Sequence, residues 1–342
     1  MWLGGEASTE STMGGNVRRG DSDRVGIGGV AYVLPERSMN VRELAGAGLL
    51  HSDANLLEGF GFDCVFMAEH ETPFGLATEA ASKLLREQAI DPGSIGLLVY
   101  AGPQGPSAFT TAPDARQCSD SLRTTARFRL PGPRLQHHLG LDRATVFGVD
   151  QGACTNLLSA VRVARALCAA ENIQRALCVS AEFYPADAGR EAIFNCTSDA
   201  AVAVLVEQDT SRNTIVGSAH VTKGYYWDGD ARRDEMLAAY FPTARHVIEQ
   251  AAGQAGWRVR DIDWVIPHNV SRRSWDVLLS LVGLPCERLW HHNIARTGHT
   301  LAGDNFINLA DAVASGDIQR GQKLMLFSYG YGAHWTALAV EA

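Results

Sequence analysis

Short apolar runs and amphipathic helical segments alternate along the chain from residue 25 onward. The run VGIGGVAYVLP is too short for a helix and rich in β-branched residues, which predicts a buried strand that Pro35 closes. A helix is predicted over 77–88, where apolar positions share one face, and it stops at a DPG turn before the apolar run IGLLVYAG. Strands and helices that alternate in this way predict α/β layers.

The same order of elements occurs twice. Strands are predicted at 144–149, 175–181 and 200–207 around a helix at 155–170. The pattern restarts after a polar break at 208–210, and a helix is predicted at 242–253. Two halves, 25–209 and 210–342, have a similar element order, from which we infer internal duplication without a strict sequence repeat. Residues 1–24 are rich in Gly, Ser and Thr and have almost nothing to bury, which predicts a flexible tail.

Composition and charge narrow the functional class. The 342 residues are 46% hydrophobic and 20% charged, as in a soluble globular protein, and the net charge of -8 argues against non-specific nucleic-acid binding. Seven cysteines form no CxxC pair and no regular framework, which fits a reducing compartment. We find no signal peptide and no stretch of about 18 apolar residues, so we expect a cytoplasmic protein without a membrane span.

The segment VFGVDQGACTN places Cys154 between a predicted strand and a predicted helix. A thiol at this position faces free backbone N–H groups and the positive end of the helix dipole, both of which favour the thiolate form. Cys154 is therefore a candidate nucleophile, although a free cysteine is about as often a small buried apolar residue.

Two further segments carry candidate proton acceptors. WVIPHN places His268 at the end of a buried strand, where side chains project into the clefts of α/β sheets. RTGHTLAGDN is a glycine-rich loop that enters a helix and contains His299, Asp304 and Asn305. Asp304 or Asn305 is equally well explained as the cap of that helix.

A glycine-rich turn, SYGYG, lies between the last two predicted strands. Its residues Gly330, Tyr331 and Gly332 form a tight backbone that can direct an N–H group at a developing oxyanion, together with the backbone N–H of Cys154. A simple hairpin turn would explain the same glycines.

In this order the four segments resemble the ketoacyl-ACP synthase III family of the thiolase superfamily, from about residue 25 to the C-terminus. Cys154 matches the family's nucleophile and His268 its histidine, while GHTLAGDN lies where the family has Gly-Asn and SYGYG matches the oxyanion turn. The segment TSDAAVAVLVE at 197–207 is similar to the family's Asp-Gly-Ala strand. The resemblance implies a duplicated five-layer αβαβα thiolase fold, a homodimer and a ping-pong reaction through an acyl-cysteine.

The resemblance also implies the substrates. Acyl-CoA or a phosphopantetheinyl acyl carrier protein (ACP) brings the acyl group, and neither a metal nor a tightly bound cofactor is required. Arg273 matches a position that contacts the carrier protein, and Arg272 extends that basic patch. Solvated arginines on a helix are the alternative interpretation.

One departure from the family changes the expected chemistry. Condensing members use His and Asn to stabilise the enolate formed by decarboxylation, but here the loop has His299 where that Asn is expected. Asp304 offers a carboxylate to orient an imidazole, so we predict a triad of Cys154, His268 and Asp304. His299 and Asn305 are candidate auxiliary residues, since each offers a replacement for the missing amide.

Three functions remain open. The first is acyl transfer from a CoA or ACP thioester to a hydroxyl, an amine or a second carrier in natural-product assembly, which resembles a non-decarboxylating branch of the family. The second is decarboxylative condensation that makes a starter β-ketoacyl-ACP. The third is a non-catalytic paralogue that binds an acyl carrier.

Overall fold

The computed structural model describes residues 24–102, 129–184 and 188–342. The predicted tail therefore lies almost wholly outside the described residues. The described strands are β1 (Val25–Val33), β2 (Arg37–Asn40), β3 (Cys64–Met67), β4 (Leu97–Ala101), β5 (Thr145–Val149), β6 (Arg175–Glu182), β7 (Glu191–Ala192), β8 (Asn195–Cys196), β9 (Ala200–Gln208), β10 (Thr214–Thr222), β11 (Trp264–Ile266), β12 (Lys323–Gly330) and β13 (His334–Glu341). The described α-helices are α1 (Val41–Gly46), α2 (Ala54–Gly59), α3 (Pro73–Glu87), α4 (Pro131–Leu139), α5 (Asn156–Glu171), α6 (Arg233–Gln254), α7 (Arg272–Val282), α8 (His292–Thr297) and α9 (Asp304–Ala314).

The main sheet repeats one pattern of strand directions. Its order is β11-β12-β13-β10-β1-β9-β6-β4-β5, and β1 meets β10 at the single pair Gly26↔Thr214. On one side of this junction β1, β9 and β6 are antiparallel neighbours and β6, β4 and β5 are parallel. On the other side β10, β13 and β12 are antiparallel and β12 and β11 are parallel. The shared pattern bears out the predicted duplication.

The helices make five layers with the two parts of the sheet. The central core joins α5 and α9 to apolar residues from both parts, such as Val204 on β9 and Leu338 on β13. A second core packs α3 on the outer face of the first part, and a third packs α6 and α7 on the outer face of the second. The chain therefore has the αβαβα arrangement that the resemblance implied, with α5 and α9 in its middle layer.

Two expectations about helices need correction. Helix α6 begins at Arg233 rather than at Pro242, because Asp234 and Glu235 favour a helix N-terminus there and the proline is accommodated inside the helix. We expected no segment long and apolar enough to span a membrane. Among the described residues, however, the stretch Ala153–Glu171 meets that criterion by length and composition. It contains α5, which packs in the central core, as core helices of soluble proteins do.

Candidate active site

Cys154 lies in a tight turn between β5 and α5. The turn is the 3-10 segment Ala153–Thr155, and Ala153 takes a left-handed φ of 46°, which is uncommon for a residue with a side chain. The Thr155 hydroxyl donates to the Gly152 carbonyl at 2.7 Å, and the Gly152 N–H donates to Asn156 Oδ1 at 2.7 Å. These bonds hold a partly exposed thiol at the start of a helix, where the sequence predicted it.

His299 connects Cys154 to Asp304. Its Nε2 lies 3.4 Å from Cys154 Sγ, and its Nδ1 lies 2.5 Å from Asp304 Oδ2. Burial alone would lower the pKa of His299, but the charges of Asp304 and Cys154 and the hydrogen bonds to both raise it well above its ordinary value. The arrangement therefore favours an imidazolium beside the thiol, with the Nδ1 proton directed at Asp304.

The backbone around His299 explains how the ring reaches this position. Gly298 has a φ of 61°, and a Cβ on it would lie 2.8 Å from the Cys196 carbonyl oxygen. The His299 N–H donates to that same carbonyl at 2.8 Å, which ties the loop to β8. A side chain at position 298 would disturb this contact, so the glycine is required for the imidazole to face the thiol.

Asp304 is held by hydrogen bonds on both carboxylate oxygens. Oδ1 accepts from the Thr300 N–H at 2.6 Å and the Thr300 hydroxyl at 2.7 Å, and Oδ2 accepts from the Asn269 N–H at 2.6 Å as well as from His299. The side chain is fully buried in the first turn of α9. Sequence reasoning missed Thr300 and Asn269; the only available signal was that each is next to a candidate histidine.

The predicted pairing of Asp304 with His268 is wrong, because the carboxylate bonds to His299 instead. The imidazole of His268 is buried, its Nδ1 has no hydrogen-bond partner among the described residues, and its ring centroid lies 6.2 Å from that of His299. Burial, and secondarily the positive charge of His299, lowers the pKa of His268 to about 3, although Asp304 opposes this shift. The three bonded side chains Cys154, His299 and Asp304 form a relay. His268 is a neutral imidazole beside this relay rather than a member of it.

Asn305 does not supply the missing amide. Its Nδ2 donates to the Ile266 carbonyl at 2.8 Å and the Phe327 carbonyl at 2.9 Å, so both amide protons bind the backbone of β11 and β12. Consecutive residues on a helix point about 100° apart, which directs Asn305 away from the thiol when Asp304 faces it. The possible auxiliary role of Asn305 is therefore excluded by its contacts, whereas His299 is central.

The glycine-rich turn contacts the nucleophile turn at Gly330. A Cβ on Gly330 would lie 2.0 Å from the Gly152 carbonyl oxygen and 3.3 Å from the Cys154 nitrogen, so only glycine fits there. Gly332 lies at the tip of the hairpin beside His334, and the Tyr331 hydroxyl bonds to Asp230 at 2.7 Å. Of the residues predicted to stabilise the oxyanion, Gly330 and Cys154 are thus the two whose backbones lie close together.

The two arginines lie at the start of α7. Arg273 is exposed, with its guanidinium 5.4 Å from the centroid of the Phe60 ring, and Arg272 pairs with Asp276 at 3.5 Å. Phe60 in turn packs edge-on against the half-exposed Phe194. Within the described ranges Arg273 forms no ion pair and lies against an aromatic ring, whereas Arg272 forms an ion pair with a carboxylate of its own helix.

No cluster of three or more His, Cys, Asp or Glu side chains with metal-binding geometry occurs in the described ranges. The site brings together a thiol, two imidazoles and a carboxylate. A cysteine with an adjacent charged histidine is suited to forming covalent acyl intermediates.

Comparisons with known proteins identify the family of the chain. Residues 150–224 match the model of 3-oxoacyl-ACP synthase III, and residues 252–342 match the model of its C-terminal part. The chain is 30% identical to β-ketoacyl-ACP synthase III 2 of Streptomyces coelicolor over 250 residues, which are 68% of this chain and 70% of that one. It is 28% identical to the β-ketoacyl-ACP synthase III of Rhizorhabdus wittichii, over 92% of this chain and 98% of that one.

A solved structure shares the fold. ChlB3, described as an acyltransferase, superposes with a TM-score of 0.78 at 20% identity over 93% of this chain and 98% of its own. The protein belongs to the 3-oxoacyl-ACP synthase III family of the thiolase superfamily, as the resemblance predicted.

Proposed function

We propose that the protein moves an acyl group from an acyl-CoA or acyl-ACP thioester to Cys154 and then to a hydroxyl, an amine or a second carrier protein, without decarboxylation. The observation that carries this proposal is His299, which lies 3.4 Å from the thiol and 2.5 Å from Asp304. An acid–base group bonded in this way can exchange protons with a nucleophile and a leaving group.

In the first half-reaction the Cys154 thiolate attacks the thioester carbonyl. The carbonyl oxygen becomes an oxyanion, which the backbone N–H groups near Cys154 and Gly330 are suited to stabilise. The carbon–sulfur bond to pantetheine then breaks, and the leaving thiolate takes the Nε2 proton of His299. The product is an acyl-cysteine beside a neutral imidazole.

In the second half-reaction His299 acts as the base. Neutral Nε2 accepts the proton of the acceptor hydroxyl, amine or thiol as that atom attacks the acyl-cysteine, while Asp304 keeps the other proton on Nδ1. Cys154 leaves as a thiolate, which restores the ion pair. The cycle needs no decarboxylation, because the acceptor itself provides both the nucleophile and the proton.

The surroundings of the site support the carrier and the assembly we propose. Arg273 offers a cation for a phosphopantetheine phosphate or an acidic carrier protein on a chain that is acidic overall. Strand β5 is an edge strand of the sheet and exposes Phe147. A second copy of the chain can pair with such an edge in a homodimer. We expect the enzyme to act in the cytoplasm and in secondary metabolism.

Decarboxylative condensation is the second candidate, because the curated relatives are β-ketoacyl-ACP synthases III and His268 is retained. The two reactions differ in their products when the acyl-enzyme is offered malonyl-ACP or a panel of alcohols and amines. We expect an ester or amide and no carbon dioxide. Release of labelled carbon dioxide with a ketoacyl product would contradict the proposal.

The substitution His299→Asn sharpens this test. It restores the amide that condensing members carry, so we expect it to abolish transfer to alcohols and amines. The exposed His246 on α6 provides the matched control, because His246→Asn makes the same chemical change away from the site. Transfer that survives in His299→Asn at the wild-type rate would contradict the role of His299 as base.

A further inference from the structure

Asn269 forms hydrogen bonds on both sides of the contact between His299 and Asp304. Its backbone N–H donates to Asp304 Oδ2 at 2.6 Å, the same oxygen that lies 2.5 Å from His299 Nδ1. Its side-chain Nδ2 donates at 2.8 Å to the Gly298 carbonyl, which belongs to the peptide bond that leads into His299. One fully buried residue therefore holds the carboxylate through its main chain and the imidazole loop through its side chain.

The peptide bond before His299 is held from two opposite directions. In a trans peptide the carbonyl oxygen and the following N–H point to opposite sides. The Gly298 carbonyl accepts from Asn269, and the His299 N–H donates to the Cys196 carbonyl at 2.8 Å. Asn269 and Cys196 therefore fix the plane of this peptide, and with it the direction in which the imidazole leaves the backbone.

The orientation of the Asn269 amide follows from its neighbours. Its Nδ2 faces the carbonyl oxygens of Gly298 and Asn293, at 2.8 and 3.4 Å, and a carbonyl oxygen can only accept. Its Oδ1 faces Asn308 Nδ2 at 2.8 Å, which donates to it. The flipped amide would place oxygen against oxygen and nitrogen against nitrogen, so only one orientation satisfies these groups.

Asn308 holds this amide from the next turn of α9. It comes four residues after Asp304, so the two side chains share one face of the helix. Its Nδ2 also donates to the carbonyl of Pro267 at 2.8 Å, directly after β11. Asn308 is fully buried, and a buried donor without an acceptor is costly, so its amide stays bonded to Asn269 and to the strand end.

We propose that Asn269 and Asn308 are positioning residues that hold His299 against Asp304 for acyl transfer. Asn269 acts through its bonds to the carboxylate and to the Gly298 carbonyl, and Asn308 acts through Asn269. Placement matters because a shift of about 1 Å in a catalytic group can cost about a hundredfold in rate. The catalytic meaning of this support rests on the proposed function.

Substitution of each asparagine by leucine tests the proposal, because leucine has a similar size and forms no side-chain hydrogen bonds. The ionisation of the His299 ring can be followed in the free enzyme by nitrogen-15 NMR. The charge of Asp304 and its hydrogen bond raise the pKa of His299, so a looser contact lowers the titration midpoint. We expect the midpoint to fall by about 1 pH unit in Asn269→Leu and in Asn308→Leu.

Gln136→Leu is the matched control. The Gln136 side chain on α4 also donates to two backbone carbonyls, those of Ala144 at 2.8 Å and Leu141 at 3.3 Å. Its loss should lower the free energy of unfolding in urea and leave the midpoint of His299 unchanged. An unchanged midpoint in Asn269→Leu, or an equal shift in the control, would overturn the proposal.

The double variant tests whether Asn308 acts through Asn269. If it does, Asn269→Leu combined with Asn308→Leu has the same midpoint as Asn269→Leu alone, because the second substitution removes a support that is no longer used. Two shifts that add would overturn the role of Asn308.

A measurement on the wild type covers the case in which these variants do not fold. A rigidly held amide is released only when the surrounding structure opens. The side-chain amide protons of Asn269 should therefore exchange with solvent at least about 100 times more slowly than those of the exposed Asn172. Equal exchange rates would overturn the proposal.

These measurements need no acyl donor, which separates the two proposals. A failure to transfer acyl groups would defeat the proposed function alone. Unchanged midpoints in variants of an enzyme that forms acyl-Cys154 would defeat the positioning role of Asn269 and Asn308 alone.

Discussion

Replacing Asp304 with asparagine changes the charge of the relay and leaves its size almost unchanged. The carboxylate accepts four hydrogen bonds between 2.5 and 2.7 Å, two on each oxygen. In Asp304→Asn one of these oxygens becomes an amino group, which faces two donors that it cannot accept from. Each buried donor left without an acceptor costs about 1–3 kcal/mol, so we also expect the variant to be less stable.

The main effect is on the charge of His299, because Asp304 is the leading cause that raises its pKa. A carboxylate at this distance shifts a neighbouring pKa by about 1–3 units, and each unit corresponds to about 1.4 kcal/mol. Since every 1.4 kcal/mol changes a rate about tenfold, acylation of Cys154 at pH 7 should slow by about 10 to 1000 times.

Rapid-quench measurement of Cys154 acylation by an acyl thioester tests this prediction. Asp142→Asn is the matched control, because Asp142 is exposed in the turn before β5. We expect the control to acylate at the wild-type rate. A loss of less than about threefold in Asp304→Asn would refute the reasoning, as would an equal loss in the control.

Three further substitutions test the site and its support. Gly330→Ala should slow acylation at least tenfold, or about 1.4 kcal/mol, because its Cβ would lie 2.0 Å from a backbone oxygen of the nucleophile turn. The control Gly253→Ala has open space around the added methyl group and should leave the acylation rate unchanged. Arg190→Ala leaves a buried carboxylate unpaired and should lower the free energy of unfolding in urea by about 3–5 kcal/mol; a loss below about 1 kcal/mol would contradict this. Glu182 is buried at the end of β6, and burial raises its pKa from 4.5 to about 7. The contribution of this carboxyl group to stability is therefore present below pH 4.5 and is lost as the pH rises through 7. Glu182→Gln should therefore gain about 2.5 kcal/mol relative to the wild type between pH 5 and pH 8, and a pH-independent difference in unfolding free energy would contradict the raised pKa of Glu182.

The order of strands and helices was readable from the sequence because each element carries its own apolar period. Strand β4, for example, is buried at all five positions and stands out as an apolar run. The position of Cys154 followed in the same way, since a strand, a turn and a helix define it locally. The early start of α6 was missed because Pro242 is a stronger signal of a helix start than the acidic residues before it.

The partners in the relay could not be predicted in this way. His268 and His299 both follow buried segments, and an apolar pattern does not record which imidazole faces the thiol. The choice depends on the left-handed φ of Gly298 and on a bond between His299 and the Cys196 carbonyl, which is distant in the sequence.

Mass spectrometry of the intact enzyme, followed by peptide mapping, tests the central claim most directly. After incubation with a panel of acyl-CoA and acyl-ACP thioesters, we predict one added acyl group on the Cys154 peptide, which disappears when an alcohol or amine acceptor is supplied and reappears in the product. The absence of any adduct from every donor, or an adduct that no acceptor removes, would contradict the account and favour a protein that only binds acyl carriers.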